Sequence, residues 1–223
     1  AARRVADLLN NEGTVGIIYH GSATTATERR DGFLDLLSGN MEAPPEFAAG
    51  AGSKQNNSLP QETDAEGNPV EEQTTESPDS YANIKVAEVL DGESDWEVSK
   101  QQAVKLITQD NVDVIFATNR KGTWGACEAV SELVEAGTIK QGEVRVVGFD
   151  YFENDGKTTE LYLSKGILDT TMLQNPYNMG YLGVRYALDI AKGTPIPSLV
   201  DTGVVQVTAD NINDSDVQFL INN

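Results

Sequence analysis

The sequence predicts an α/β fold built on a mostly parallel sheet, and three observations carry that expectation. Short apolar runs bounded by polar residues recur along the chain, as in strands buried on both faces. Each run is followed by a polar turn and then by apolar residues at helical spacing. Polar or aromatic residues stand where these runs end, and ligands in open α/β sheets bind beyond the carboxyl ends of the strands. The clearest unit spans Val112–Val130. Val112, Val114, Ile115 and Phe116 read as a buried strand, the turn runs through Ala117 to Gly122, and Trp124, Ala126, Ala129 and Val130 mark a helix. Asn119 stands at the strand end, and a carboxamide offers two donors and two acceptors on one rigid group. That suits a small neutral polyol better than a phosphate or a metal.

The 223 residues allow one large or two small domains. Asp and Glu number 35 against 16 Lys and Arg, a formal charge of −19, and the sequence pI is near 4.2. Such a surface repels phosphate backbones and anionic lipid, so neither nucleic acid nor a membrane surface is an expected partner. No apolar run is long enough to span a bilayer, and the first residues do not read as a signal peptide. Cys127 is the only cysteine, which excludes an intrachain disulfide, and it reads as a small buried hydrophobe. A single histidine excludes a His-cluster metal site.

Taken in order, Ala1–Leu9 is an amphipathic helix with Val5, Leu8 and Leu9 on one side, and Glu12-Gly13 turns into a strand over Thr14–Tyr19. A helix that opens abruptly and feeds a central-type strand leads us to expect a preceding N-terminal part that this chain lacks. The small-residue loop His20–Thr27 follows, with a spacing that does not fit a P-loop. The next helix carries Arg29, Phe33, Leu36 and Leu37. Arg29 lies just past the strand end, where it is either a surface arginine or a ligand contact.

Residues 41–82 break the pattern. They are rich in Pro, Gly, Ser, Asn, Gln and Glu and nearly free of aliphatic side chains, so a flexible acidic surface insertion is expected. Asp64–Asn68 has the look of a calcium loop. With Gly67 in sixth place an EF-hand would need Glu in the twelfth, where Gln73 stands, so a solvated loop is expected instead.

Ile84–Leu90 resumes the sheet and leads through Asp91–Glu97 into a helix over Val98–Thr108. Trp96 falls in that polar turn. It can stack on the apolar face of a sugar or pack on the neighbouring helix. The helix after Asn119 stops at Ala136-Gly137. Val144–Asp150 is a strand ending in a carboxylate, which can accept from two adjacent hydroxyls or cap the following helix. A helix over Thr158–Ser164, a strand over Leu168–Leu173 and Gln174-Asn175-Pro176 follow. Tyr177–Ala191 is a helix with Met179, Leu182, Tyr186 and Ile190 on one face. Leu199–Thr208 is a last strand, and the polar tail has room for a short helix.

The strand ends thus carry Arg29, Trp96, Asn119, Asp150 and Gln174. They include no activated nucleophile, no carboxylate pair, no metal cluster and no GxGxxG. This is a recognition surface rather than an enzyme active site. Six stretches in one order, Ala26–Phe33, Ser94–Glu97, Val114–Asn119, Val146–Asp150, Leu173–Pro176 and 200–204, resemble the second half of a type I periplasmic sugar-binding protein. This is the ribose/galactose class of ABC-transporter solute receptors. The resemblance covers nearly the whole chain except residues 41–82. It implies two three-layer, doubly wound lobes joined by a hinge, with a monosaccharide between them and a membrane permease as the receiving partner. Residues 1–174 would be the C-terminal lobe, 175–199 a helix belonging to the other lobe, and 200–223 the final hinge strand and tail, with the N-terminal lobe absent. Arg29, Trp96, Asn119, Asp150 and Gln174 match the family's ligand positions, with no cofactor and no metal. The location would be periplasmic or extracellular, as a cell-surface lipoprotein in a Gram-positive host, with membrane contact only through an anchor or the permease. The family usually has Asp or Glu after the asparagine, where Arg120 stands here, and the departure bears on which sugar is bound.

The alternative is the effector-binding domain of a LacI-type repressor, which shares this fold. An upstream secretory or lipoprotein signal would mark a receptor, and an upstream helix-turn-helix a repressor.

Overall fold

The computed structural model describes residues 1–39, 81–198, 200 and 202–222. The chain opens with α1 (Ala2–Leu8), β1 (Glu12–Tyr19) and α2 (Thr24–Leu37). It resumes with β2 (Asn83–Asp91), α3 (Trp96–Thr108), β3 (Val114–Ala117), α4 (Arg120–Glu135) and β4 (Arg145–Phe149). A small hairpin, β5 (Glu153–Asn154) and β6 (Lys157–Thr158), precedes α5 (Thr159–Ser164). β7 (Leu168–Gln174), α6 (Pro176–Ala191), β8 (Val204–Val207) and α7 (Ser215–Asn222) complete the order.

Six strands form one sheet in the order β2-β1-β3-β4-β7-β8. All neighbours pair in parallel except β7 and β8. The chain steps outward from β1 to β2, then returns to β3 on the other side of β1. The strand order therefore reverses between β1 and β3, the point at which α/β sheets open a crevice beyond their carboxyl ends.

The α/β expectation holds, and the layers follow from strand alternation. Val114 and Phe116 face one side of β3 and Ile115 the other. Val15, Ile17, Phe116 and Val147 pack with Val5 of α1 and Phe33 of α2. Ile18, Ile115 and Val146 pack with Leu106 of α3 and Val130 of α4. Helices on both faces of a mostly parallel sheet make the three-layer, doubly wound architecture. Each fully buried aliphatic or aromatic side chain contributes about 1.5–3 kcal/mol. Arg4 on α1 reaches the nearly buried Asp169 on β7 with Nε at 2.6 Å and Nη2 at 2.8 Å, fixing α1 to the sheet.

α3 and α4 lie close together because Gly125 has no side chain. A Cβ there would stand 2.4 Å from the Trp96 carbonyl oxygen and 2.7 Å from the Lys100 nitrogen. Cys127 is fully buried, and that burial pushes its thiol well above the ordinary value. It is an inert core residue, as expected.

Several boundaries differ from the sequence reading. Trp96 is the first residue of α3, because the Asp95 carboxylate accepts from the Glu97 and Val98 N–H groups and starts the helix two residues early. The β5–β6 hairpin was not expected, and the final strand is the short Val204–Val207. The insertion and its calcium-like loop lie outside the described residues, apart from the last two. Tyr81 is buried against the α1–α2 side of the sheet.

α6 has no buried residue. Tyr177, Tyr181, Val184 and Leu188, at helical spacing, are 62%, 55%, 66% and 55% exposed. Met179 and Ile190, from the apolar face read in the sequence, are exposed as well. The base of the helix is tied down. Tyr177 meets Phe219 edge-on at 5.5 Å, and the Asn178 amide donates to the Thr202 carbonyl at 3.4 Å.

Candidate functional site

The strand ends around the β1/β3 crossover gather most of the residues singled out above. Arg29 comes from the second turn of α2, which the loop after β1 delivers over the crevice. Its Nη1 donates to the Thr118 carbonyl at 2.9 Å, and its guanidinium carbon lies 4.2 Å from the centre of the Phe149 ring. Burial lowers the guanidinium's affinity for its proton, and the charge of Asp150 works in the opposite direction. Arg29 is therefore no free surface arginine. It ties α2 to the ends of β3 and β4.

Asp150 directly follows β4. Its backbone is left-handed, with φ +66°, a conformation Asp tolerates better than most residues. Its N–H donates to the Met172 carbonyl and its carbonyl accepts from the Thr171 hydroxyl, both at 2.9 Å. Its Oδ1 accepts from the Gln174 amide at 2.7 Å. The helix-capping alternative for Asp150 fails, because Thr158 caps α5. Gln174, at the end of β7, is thus bonded directly to the carboxylate.

Asn119 caps α4, its Oδ1 accepting from the Gly122 N–H at 2.8 Å. The capping role was not read in the sequence. It commits the carbonyl oxygen and leaves the amino group as what Asn119 can offer a ligand. Thr123, one turn into α4, bonds both the N–H of Phe149, at 3.0 Å, and its carbonyl, at 3.1 Å. The end of β4 is clamped to the start of α4.

Trp96 stands apart from this linked set. Its ring stacks on Trp124 of α4 at 4.8 Å and 19°. One face of Trp96 is packed on the neighbouring helix, the second of the two readings. Trp124 then connects it to the crevice, since α4 begins at Asn119. Sequence reasoning missed Phe149, Thr118 and Trp124. Phe149 was hidden within an apolar run, although a large aromatic beside a terminal carboxylate was a usable signal. It also missed Asp91 at the end of β2, whose carboxylate accepts from the Gly21 N–H at 3.1 Å and the Glu93 N–H at 2.8 Å, holding two crevice loops together. His20 lies 4.0 Å from Asp91. Among the described residues, no group of three or more His, Cys, Asp or Glu is placed to hold a metal ion. None of their helices is long and apolar enough to cross a membrane.

The arrangement can accept and donate hydrogen bonds around a small polar ligand, with Arg29 near enough to feel the charge of Asp150 and Gln174 bonded to that carboxylate. Arg29 also matters for stability. Arg29→Met keeps the stem but removes one charged hydrogen bond and one cation–π contact, for an expected cost of about 2–4 kcal/mol. A urea melt should show a lower midpoint at unchanged slope, and an unchanged midpoint would remove the structural role given to this residue.

A family model of the periplasmic binding protein domain matches residues 1–195. Among solved structures, the chain is similar to AraP, an arabinose-binding protein from Geobacillus stearothermophilus, at 24% identity and TM-score 0.64, over 95% of this chain and 59% of that one. It is similar to the sugar-binding protein of a sugar ABC transporter from Bacillus halodurans at 26% identity and TM-score 0.66, over 95% and 60% of the two chains. A carbohydrate transporter solute-binding protein from Agrobacterium radiobacter, in complex with D-arabinose, gives 25% identity and TM-score 0.66 over 99% and 59%. The chain thus spans about three fifths of the length of these solved chains. No curated protein matches it.

Proposed function

The chain belongs to the periplasmic binding protein domain family, and from that premise we propose that it is the larger part of a receptor that captures a monosaccharide and delivers it to an ABC-transporter permease. The observation that supports this best is the bonded set Arg29, Thr118, Phe149, Asp150 and Gln174 beyond the strand ends, with Asn119 beside it. Sugars present neighbouring hydroxyls. A carboxylate already held by one amide keeps its second oxygen for them, and the Asn119 amino group adds a donor. Trp96, with one face on Trp124, would contribute its remaining surface to the sugar ring. This family is one of binding proteins. The location would be periplasmic or extracellular.

In the same proposal, residues 1–174 form one lobe, 175–199 reach a second lobe supplied by a longer protein, and 200–223 return as hinge strand and tail. The exposed apolar faces of α6 support that division, because apolar patches of this kind mark interfaces. The 223-residue chain alone is then expected to self-associate through α6. Sedimentation at rising concentration should show it, and Val184→Lys with Leu188→Lys should restore a monomer. A clean wild-type monomer at all concentrations would count against the lobe division.

The test of function is calorimetry of the full-length protein with D-arabinose, other pentoses and hexoses. Binding of at least one, lost or strongly weakened in this chain alone, is the expected result. A full-length protein that binds none of them would refute the reading.

A further inference from the structure

We propose that Glu128 is a positioning residue for the binding surface, holding the loop behind Asp150 through Lys157 and the indole beneath Trp96 through one bridging water. Glu128 is 2% exposed, midway along α4. A carboxylate there is costly unless both oxygens find partners. Oε1 takes the ammonium of Lys157. Lys157 lies in β6, in the hairpin that follows Asp150 by only a few residues, and its half-exposed stem reaches inward to the pair. The hairpin is closed at its base by the Phe152 N–H on the Thr159 hydroxyl, at 2.9 Å, and the Thr159 N–H on the Phe152 carbonyl, at 3.0 Å. Asp150 is therefore anchored on its far side by a loop whose tether is Glu128.

The second oxygen, Oε2, is buried and has no protein partner among the described residues. Trp124 Nε1 is likewise buried without a partner. The two residues stand four apart on one helix, the spacing at which side chains are neighbours. An indole N–H can only donate and a carboxylate can only accept, so one water between them satisfies both. Trp124 is stacked between Trp96, at 4.8 Å, and Phe152, at 6.4 Å. A carboxylate that fixes the Trp124 ring fixes the platform under Trp96. One side chain, away from the crevice, thus holds both its carboxylate and its aromatic part. The proposal rests on the sugar-binding reading only for what is being positioned.

Amide exchange and indole N–H resonances of the whole chain test it. Lys157→Met should speed exchange at Phe152 and Thr159 about tenfold, as loss of a half-exposed charged hydrogen bond implies, and leave the Trp124 indole N–H unmoved. Glu128→Gln has one acceptor oxygen where the carboxylate has two, so it should loosen the hairpin amides, shift the indole N–H, or both. In the wild type the Trp124 N–H should show transfer from a long-lived water. The proposal is overturned if that transfer is absent, or if the hairpin amides in Lys157→Met exchange no faster than before. It is also overturned if exchange at Phe152 and Thr159 in Lys157→Met rises no further than the common factor by which β4 and α4 rise when Glu128 loses its partner, the mark of a merely structural role. Should Glu128→Gln not fold, Lys157→Met and the wild-type water signal still decide. None of these readouts needs a sugar, so failure to bind any sugar would sink the function and not this device.

Discussion

Asp150→Ala in the full-length protein is expected to weaken monosaccharide binding by about 10- to 150-fold, the range that follows from losing a charged hydrogen bond of roughly 1.5–3 kcal/mol. Asp150 should matter most because it is the carboxylate in the linked set, and Gln174 and Thr171 already hold it in place. Neutral partners such as Asn119 contribute about 0.5–1.5 kcal/mol each. Alanine also carries a backbone cost here. The left-handed φ of +66° disfavours a Cβ by about 1–2 kcal/mol, a penalty that asparagine largely avoids. Asp150→Asn should therefore keep the wild-type melting temperature and still bind measurably more weakly, whereas Asp150→Ala should lose both affinity and stability. Calorimetry against the tightest sugar, with a melting curve for each variant, separates the two effects. Equal affinity in wild type and Asp150→Asn, with only stability moving in Asp150→Ala, would reduce Asp150 to a structural residue.

The alternating fold was legible because buried strands and amphipathic helices write their periods into neighbouring residues. Asp150 and Gln174 could both be named as site residues from sequence, but their mutual bond could not, since the strands carrying them become neighbours only when the sheet forms. Arg29 illustrates the same limit more sharply. Its acceptor is 89 positions away, and its ring partner belongs to a strand further on. Trp96 was read as standing in a turn because Asp95, three residues before the apparent helix start, was not recognised as its cap. Capping is a local signal and could have been found. Glu128 could not. A glutamate amid Cys127, Ala129 and Val130 reads as a polar interruption until the fold shows that it is buried. Periodicity reports which face a residue occupies, while partners depend on the sheet order, which reverses at β1/β3.

Gly125→Ala tests how the two halves of the site are held together. In an exposed helix interior the change stabilises by roughly 0.5–1 kcal/mol, because alanine restricts the unfolded chain and suits the helix. At Gly125 the new methyl would stand 2.4 Å from the Trp96 carbonyl oxygen and 2.7 Å from the Lys100 nitrogen. Both are backbone atoms of α3, so no side chain can rotate away and the helices must separate. Overpacking of this kind costs about 1–3 kcal/mol or more, which outweighs the helical gain. For a chain of this size each kcal/mol lowers the melting temperature by roughly 2–4 °C. The same substitution at Gly180 or Gly183 of α6 meets no atom within 4 Å, so it should be neutral or slightly stabilising. The contrast controls for helix propensity. The separation should also reach the site, since Trp96 and Trp124 sit at this crossing and are the only tryptophans. Their coupled near-ultraviolet circular dichroism should fall in Gly125→Ala and persist in Gly180→Ala. A Gly125→Ala protein as stable as wild type, with the tryptophan signal intact, would show that α3 and α4 can part without cost and that close helix contact does not hold Trp96 in place.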